Sequence, residues 1–337
     1  MEVTVATIKD VAKLAGVSFS TVSIVLNGHA EERKISAETQ EKVLMAANAL
    51  QYTPNVAARK LKVAGSARYS VAVYWPADYR TYFISKTING LEDARKSVEE
   101  EIDILIYPYE NDHLGDYMSQ SNVSLIHGAI VVAPSELDME FLERSAFQYP
   151  VVILNRKSGR YPTVGVDNYH LGRMAAEHLL SAGFSVISAV FAESPYPAMS
   201  MHRQGFLDTC TSRKCIVTIF NILNSSMEEG YSSTADLIAN GLPQVIFYDS
   251  DAVARGALCA FHKNKIAIPG DVSVFSLSAG SAEICEYSVP PLSVLEIPHD
   301  ELAKKGLLML YEIIRNNSRE IRHTLLTPKL IVRESCK

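Results

Sequence analysis

The chain has 337 residues, 47% of them hydrophobic and 21% charged, and its 32 Lys+Arg against 38 Asp+Glu leave a net charge of −6. That length exceeds one ordinary core and predicts two or three domains, while the apolar content excludes global disorder. No run approaches 18 uncharged apolar residues and no signal-like hydrophobic region opens the chain, so the expectation is a cytoplasmic protein with no membrane partner.

Charge is unevenly placed. Residues 1–62 hold eight Lys/Arg and six Asp/Glu, a net of +2, and the rest hold 24 against 32, a net of −8. Within the basic part, Thr7-Ile8-Lys9-Asp10 reads as a helix start with the acid near the positive helix end. Ile8, Val11, Ala12 and Ala15 then recur on one face of a short helix, which Gly16 stops. Ser18 caps a second helix, Phe19 to Leu26, closed by Asn27-Gly28, with Val22, Val25 and Leu26 as its core stripe. At 100° per residue Ser20, Ile24 and Asn27 face the opposite way, with Phe19 and Ser23 on a flank. A third helix begins after Ser36, with Val43, Ala46, Ala47 and Leu50 as its apolar face. This is a helix-turn-helix arrangement, whose second helix would enter a major groove. The helix pattern by itself leaves a three-helix domain without a DNA role equally open.

Val56–Leu61 is under two helical turns, too short to hold alone in water. The small residues of 63–68 read as a linker. From Tyr69 onward β-branched runs alternate with amphipathic helices. Strands are expected at Val71–Trp75, Ile102–Tyr107, Ala129–Val132, Val151–Leu154, Ile187–Phe191, Gln244–Phe247, Val272–Leu277 and Leu325–Val332. Helices are expected at Tyr82–Glu99, Asn168–Ala182, Glu228–Asn240, Asp251–Asn264 and His299–Asn316. Such alternation implies parallel sheets covered on both faces, here two lobes with a ligand cleft beyond the strand C-termini.

Two strings, ATIKDVAKLAGVSFSTVSIVLNG and ISAETQEKVLMAANALQYTPNVAARKLK, closely resemble the DNA-binding head of the lactose/galactose repressor (LacI/GalR-type) family. YPVVILNRKS, VGVDNYHLGRMAAEHLLSAG, PQVIFYDSDAVARGALCAF, IPGDVSV and PPLSV follow in the order of that family's effector domain. The resemblance implies an all-α helix-turn-helix head on an α/β periplasmic-binding-protein-like body of two doubly wound parallel-sheet lobes. It implies a head at 1–62 with a hinge helix at about 54–62, then an effector and dimerisation body at 69–337. Within that body it places an amino-terminal lobe at about 69–165 and 297–324, and a carboxy-terminal lobe at about 166–296 and 325–337.

By resemblance, Phe19 and Ser20 read bases, and Ser18, Thr21 and Asn27 make phosphate or framework contacts, with Thr7 at the helix start before them. Tyr52 and Asn55 lead into the hinge, where Arg59 and Leu61 meet the minor groove, Leu61 as the wedge that opens a base step. Ile24 departs from the family, which commonly has Arg there. It lacks a donor for guanine and is expected either to touch a thymine methyl or to be neutral surface. The implied partners are a pseudo-palindromic double-stranded operator, a second or further copies (homodimer or tetramer) and a small-molecule effector, with no cofactor.

Around the cleft the sequence again departs. His202 replaces the Arg of an Arg-x-x-Gly-aromatic motif, Ser278 a cleft Asp, Ser250 the Asn before Asp251, and Ser225 a stacking aromatic. Tyr79, Tyr82 and Phe83 are left as stacking surfaces, with Asn155 and Arg156 as polar contacts. Loss of charged grips points to a neutral polar ligand such as a sugar, and His202 to binding that varies near neutral pH.

An enzyme is not expected, because no Gly-x-Ser-x-Gly, Walker or His-Glu-x-x-His pattern occurs. Asp249-Ser250-Asp251 is read as a helix start rather than a metal site. The five scattered cysteines (Cys210, Cys215, Cys259, Cys285, Cys336) are read as reduced thiols. Control by a protein corepressor, or a role as a solute-binding protein, remain as alternatives.

Overall fold

The computed structural model describes residues 8–26, 30, 33–50, 68–78, 84–120, 126–193, 197–239, 241–280, 282–318 and 320–336. In the head, α1 (Ile8–Ala15), α2 (Phe19–Leu26) and α3 (Ala37–Ala49) surround a core of Val11, Val22, Val25, Val43, Ala46 and Ala47. Gly16 makes the turn between α1 and α2 at φ +67°, a left-handed conformation that a Cβ would strain. Ser18 Oγ accepts the Thr21 N–H at 3.1 Å and so satisfies an otherwise orphaned donor of α2. Ser36 caps α3 in the same way through Thr39, at 3.4 Å.

The body has two sheets. The first comprises β1 (Arg68–Pro76), β2 (Glu101–Tyr109), β3 (Gly128–Val132), β4 (Val151–Leu154), β5 (Thr163–Val166) and β11 (His323–Leu326), in the order β11-β5-β4-β3-β1-β2. All its pairings are parallel. Its helices are α4 (Ile84–Lys96), α5 (Leu114–Gln120), α6 (Glu136–Arg144) and α12 (His299–Asn316). The second comprises β6 (Val186–Ala192), β7 (Ile216–Ile222), β8 (Val245–Tyr248), β9 (Ser273–Ser278), β10 (Ser293–Glu296) and β12 (Lys329–Ile331), in the order β12-β10-β9-β8-β6-β7. With it go α7 (Asn168–Ser181), α8 (Pro197–Ser212), α9 (Met227–Ala239), α10 (Asp251–Lys263) and α11 (Ala282–Glu286). Val151–Leu154 and Val245–Tyr248 are buried along their whole length, as strands covered on both faces must be.

The expected single strand Leu325–Val332 is a correction. It is two strands, β11 parallel to β5 in the first sheet and β12 antiparallel to β10 in the second. Pro328 lies between them, and its missing N–H and fixed φ prevent one ladder from running through. The chain thus passes between the sheets after β5, after β10 and after Leu326. Among the described residues no helix is long and apolar enough to cross a membrane.

Candidate DNA-reading surface and inter-lobe site

On α2 the buried Val22 and Val25 fix which way the helix faces. Its outer side then carries Ser20, exposed, and Phe19, a ring left 53% exposed. The packed core of the head thus holds this ring at its outer face. Thr21 is half-buried, its hydroxyl 2.9 Å from Ser18 Oγ, so both hydroxyls brace the start of the helix. Ile24 is half-buried rather than fully on the open face. The other DNA-reading expectations (Thr7, Asn27, Tyr52, Asn55, Arg59 and Leu61) lie outside the described residues.

In each sheet the strand order reverses once, between β1 and β3 in the first and between β6 and β8 in the second. Crevices at such reversals, beyond the strand C-termini, are where open α/β sheets bind ligands. Asn155 follows β4 at φ +57°, and its Oδ1 is buried without a hydrogen-bond partner. Arg156 is turned to structural use. Its guanidinium donates to the carbonyls of Pro134 and Asn155, both at 2.7 Å, and ties the ends of β3 and β4 together.

Across the second sheet, Ser250 and Asp251 open α10, Ser278 ends β9, His202 lies in α8, and Ser225 is half-buried in the β7–α9 turn. Asp251 is buried, and burial pushes its carboxyl upward. Its oxygens are engaged by Ser278 Oγ and the Ala279 N–H, both at 3.4 Å, and by Cys285 Sγ at 3.7 Å. Asp251 and Ser278 are therefore largely satisfied by each other and by Cys285. His202 is buried, its Nε2 has no hydrogen-bond partner, and burial lowers its pKa to about 4. It is neutral at physiological pH, so the titration expected near neutrality falls well below it. Tyr79, Tyr82 and Phe83 lie outside the described residues.

The sequence reading took Asp249 only as part of a helix start and gave it no role of its own. This buried carboxyl follows β8 and accepts the Ala192 N–H from the end of β6 at 2.8 Å, spanning the reversal point of the second sheet. Its Oδ1 is buried without a partner, and burial pushes its pKa up to about 7, opposed by the nearby Arg203. Arg203 itself lies over the Phe191 ring, 4.9 Å from its centroid. The one available signal was an acid directly after a four-residue apolar strand.

A cavity of about 890 Å³ opens beside the first lobe, lined by α6, residues 155–159, part of β5, and Met201 of α8. Of the expected cleft residues it brings in Asn155 and Arg156, whereas His202, Ser225, Ser250, Asp251 and Ser278 do not line it. Among the described residues no group of three or more His, Cys, Asp or Glu could hold a metal.

Residues 7–55 match the model of the lacI family of bacterial regulatory proteins, and residues 176–336 match that of the periplasmic binding protein-like domain. The chain is 28% identical to the HTH-type transcriptional repressor PurR of Vibrio parahaemolyticus, over 98% of this chain and 99% of that one. A LacI family transcription regulator from Clostridium acetobutylicum has a similar structure, with a TM-score of 0.74 and 26% identity, covering 79% of this chain and 99% of that one. The lac repressor dimer bound to operator and the anti-inducer ONPF shares the fold over 98% of both chains, with a TM-score of 0.68 and 20% identity.

Proposed function

Because the chain belongs to the lacI family of bacterial regulatory proteins, we propose that it binds a pseudo-palindromic operator as a homodimer, under the control of a small neutral polar molecule held between its lobes. At the coarser level it is a DNA-binding transcriptional repressor with an effector-binding body, and not an enzyme. The observation that carries the reading is α2, fixed by a packed three-helix core with Phe19 and Ser20 turned outward.

In this reading residues 1–62 form the head and hinge, and 69–337 the effector and dimerisation body. Two heads read two half-sites while the paired hinge segments, with Leu61 as wedge, occupy the minor groove between them. In the second lobe Tyr287 and Val289 are each 78% exposed and border a shallow groove with Leu258 and Ile284, a surface that a second copy could cover. The lac repressor structure of the same fold is itself a dimer on its operator.

A neutral effector is favoured because the described second-lobe groups expected at the cleft are uncharged or already engaged. His202 is uncharged, Arg203 is occupied with Phe191 and Asp249, and Asp251 with Ser278 is internally bonded. Such a ligand acts through its different affinity for two arrangements of the lobes. A thermal-shift panel of sugars, glycosides and nucleobases on the full chain tests this. A compound that raises the melting temperature in a concentration-dependent way, by mass action on the folded state, identifies the effector class. A panel without one contradicts small-molecule control and favours a protein corepressor.

A further inference from the structure

Glu296 ends β10 in the second sheet, and Ile297 and Pro298 carry the chain from there into α12 of the first lobe. Lys86 stands in the first turn of α4, in the first lobe. Its Nζ lies 2.5 Å from Glu296 Oε1, and the two side chains are only 13% and 14% exposed. This is a shielded ion pair that joins the lobes at one of the three passages between them. Removing either partner would leave the other charge poorly solvated, so the pair resists separation more than a surface pair does.

Both ends of the pair are rigidly continued. On the Lys86 side, α4 is pressed against the start of α12. A Cβ on Gly90, one turn further along, would come within 1.9 Å of the Asp300 carbonyl oxygen. His299, buried beside Lys86, is held neutral by burial and by that ammonium. On the Glu296 side, the Ile297 N–H donates to the Ser278 carbonyl at 2.8 Å, and the Ile297 side chain packs against the cores of both lobes. Ser278, at the C-terminal end of β9, belongs to the Asp251 network. A contiguous series of contacts thus runs from the C-terminal end of β9 in the second lobe to the first turn of α4.

We propose that the Lys86–Glu296 ion pair is a clasp between the lobes that couples the state of the cleft to α4 and, through the first lobe, to DNA affinity. The coupling rests on the function proposed above; the clasp does not. A path of contacts becomes a coupling only when perturbing it moves both ends.

The test uses the full chain as Lys86→Met, as Glu296→Gln, which keeps the shape of the side chain, and as the charge-exchanged double variant Lys86→Glu/Glu296→Lys. Circular dichroism first establishes that each is folded. Hydrogen exchange of the amides in residues 84–90 and 293–302 needs neither DNA nor ligand. The expected result is about a tenfold loss of protection there in each single variant and recovery in the exchanged pair. Operator affinity, measured on DNA selected by the wild-type protein, is expected to change at least about threefold in the single variants and to recover with the exchange. Unchanged exchange in the single variants overturns the clasp, as does an exchanged pair no better than either single variant. Altered exchange with unchanged operator affinity overturns the coupling. A wild-type chain that selects no DNA refutes the proposed function instead, while the exchange measurement still decides the clasp.

Discussion

His202 and Asp249 carry opposite dependences on pH, although both are buried in the second lobe. Folding lowers His202 from its ordinary value of 6.5 to about 4. As pH falls through that window the unfolded chain takes up the proton first, so stability present above about 6.5 is lost toward 4, at about 1.4 kcal/mol per pH unit. Folding raises Asp249 to about 7, so the folded state keeps a proton that the unfolded state has released, and stability falls as pH rises from about 4 to 7. His202→Gln is expected to reduce the drop in melting temperature between pH 7 and pH 5, and Asp249→Asn to reduce the decline between pH 5 and pH 8. Calorimetry across that range checks both, and profiles parallel to the wild type contradict the assignment. In the head, Ile24→Arg is expected to turn base preference toward guanine at one half-site position, a discrimination of about 1–3 kcal/mol. Selected sites with unchanged preference would show that Ile24 does not face a base. Residue types along the chain were enough to place Ser18, Phe19 and Ser20 on α2. They could not show that Cys285, 34 residues beyond Asp251, would occupy that carboxylate, because contacts between distant segments leave no local pattern.

Helices α7 and α8 meet backbone to backbone. A Cβ on Gly172 would lie 1.8 Å from the His202 carbonyl oxygen, and one on Gly205 would lie 2.0 Å from that of Tyr169. Gly172→Ala must therefore push the helices apart, at a cost of about 1–3 kcal/mol or more. Gly165→Ala, in β5, meets nothing nearer than 3.5 Å and should be close to neutral. Thermal unfolding of the two variants checks the contrast, and equal melting temperatures would contradict the close packing. The same scale shows which elements could be read from sequence. Val151–Leu154 forms the expected strand because four consecutive apolar residues have nowhere to go but between two layers of helix. Edge strand β7 went unread because it is exposed or half-exposed along most of its length, which leaves neither a buried run nor strict alternation. Helix α6 went unread although Ser135 and Asp138 form its capping box. Its nine residues carry too short an apolar stripe for periodicity to show.

Across the whole molecule, the charge is divided between a mildly basic segment of 62 residues and an acidic remainder. A head with so small an excess gains little from phosphate attraction, so the proposed specific affinity rests on two heads engaging one duplex. In the proposed complex the acidic body would be repelled by that duplex, which favours contact through the head. Two sheets, each with one reversal of strand order, supply two crevices, and the chain passes three times between them. That architecture was legible from the alternation of strands and helices, but the polar groups of the cleft were not, since partners such as Cys285 and Ala192 come from other strands and helices. The central claim is that α2 reads an operator on behalf of a paired molecule. The direct measurement is selection of double-stranded DNA from a random pool by the full-length protein, followed by anisotropy titration of the wild type, Phe19→Ala and Ser20→Ala on the enriched sequence. The account predicts an enriched site with approximate two-fold symmetry, bound with at least about tenfold lower affinity by Phe19→Ala and with relaxed base preference by Ser20→Ala. No enriched site, or one that both variants bind as tightly and as selectively as the wild type, would contradict it.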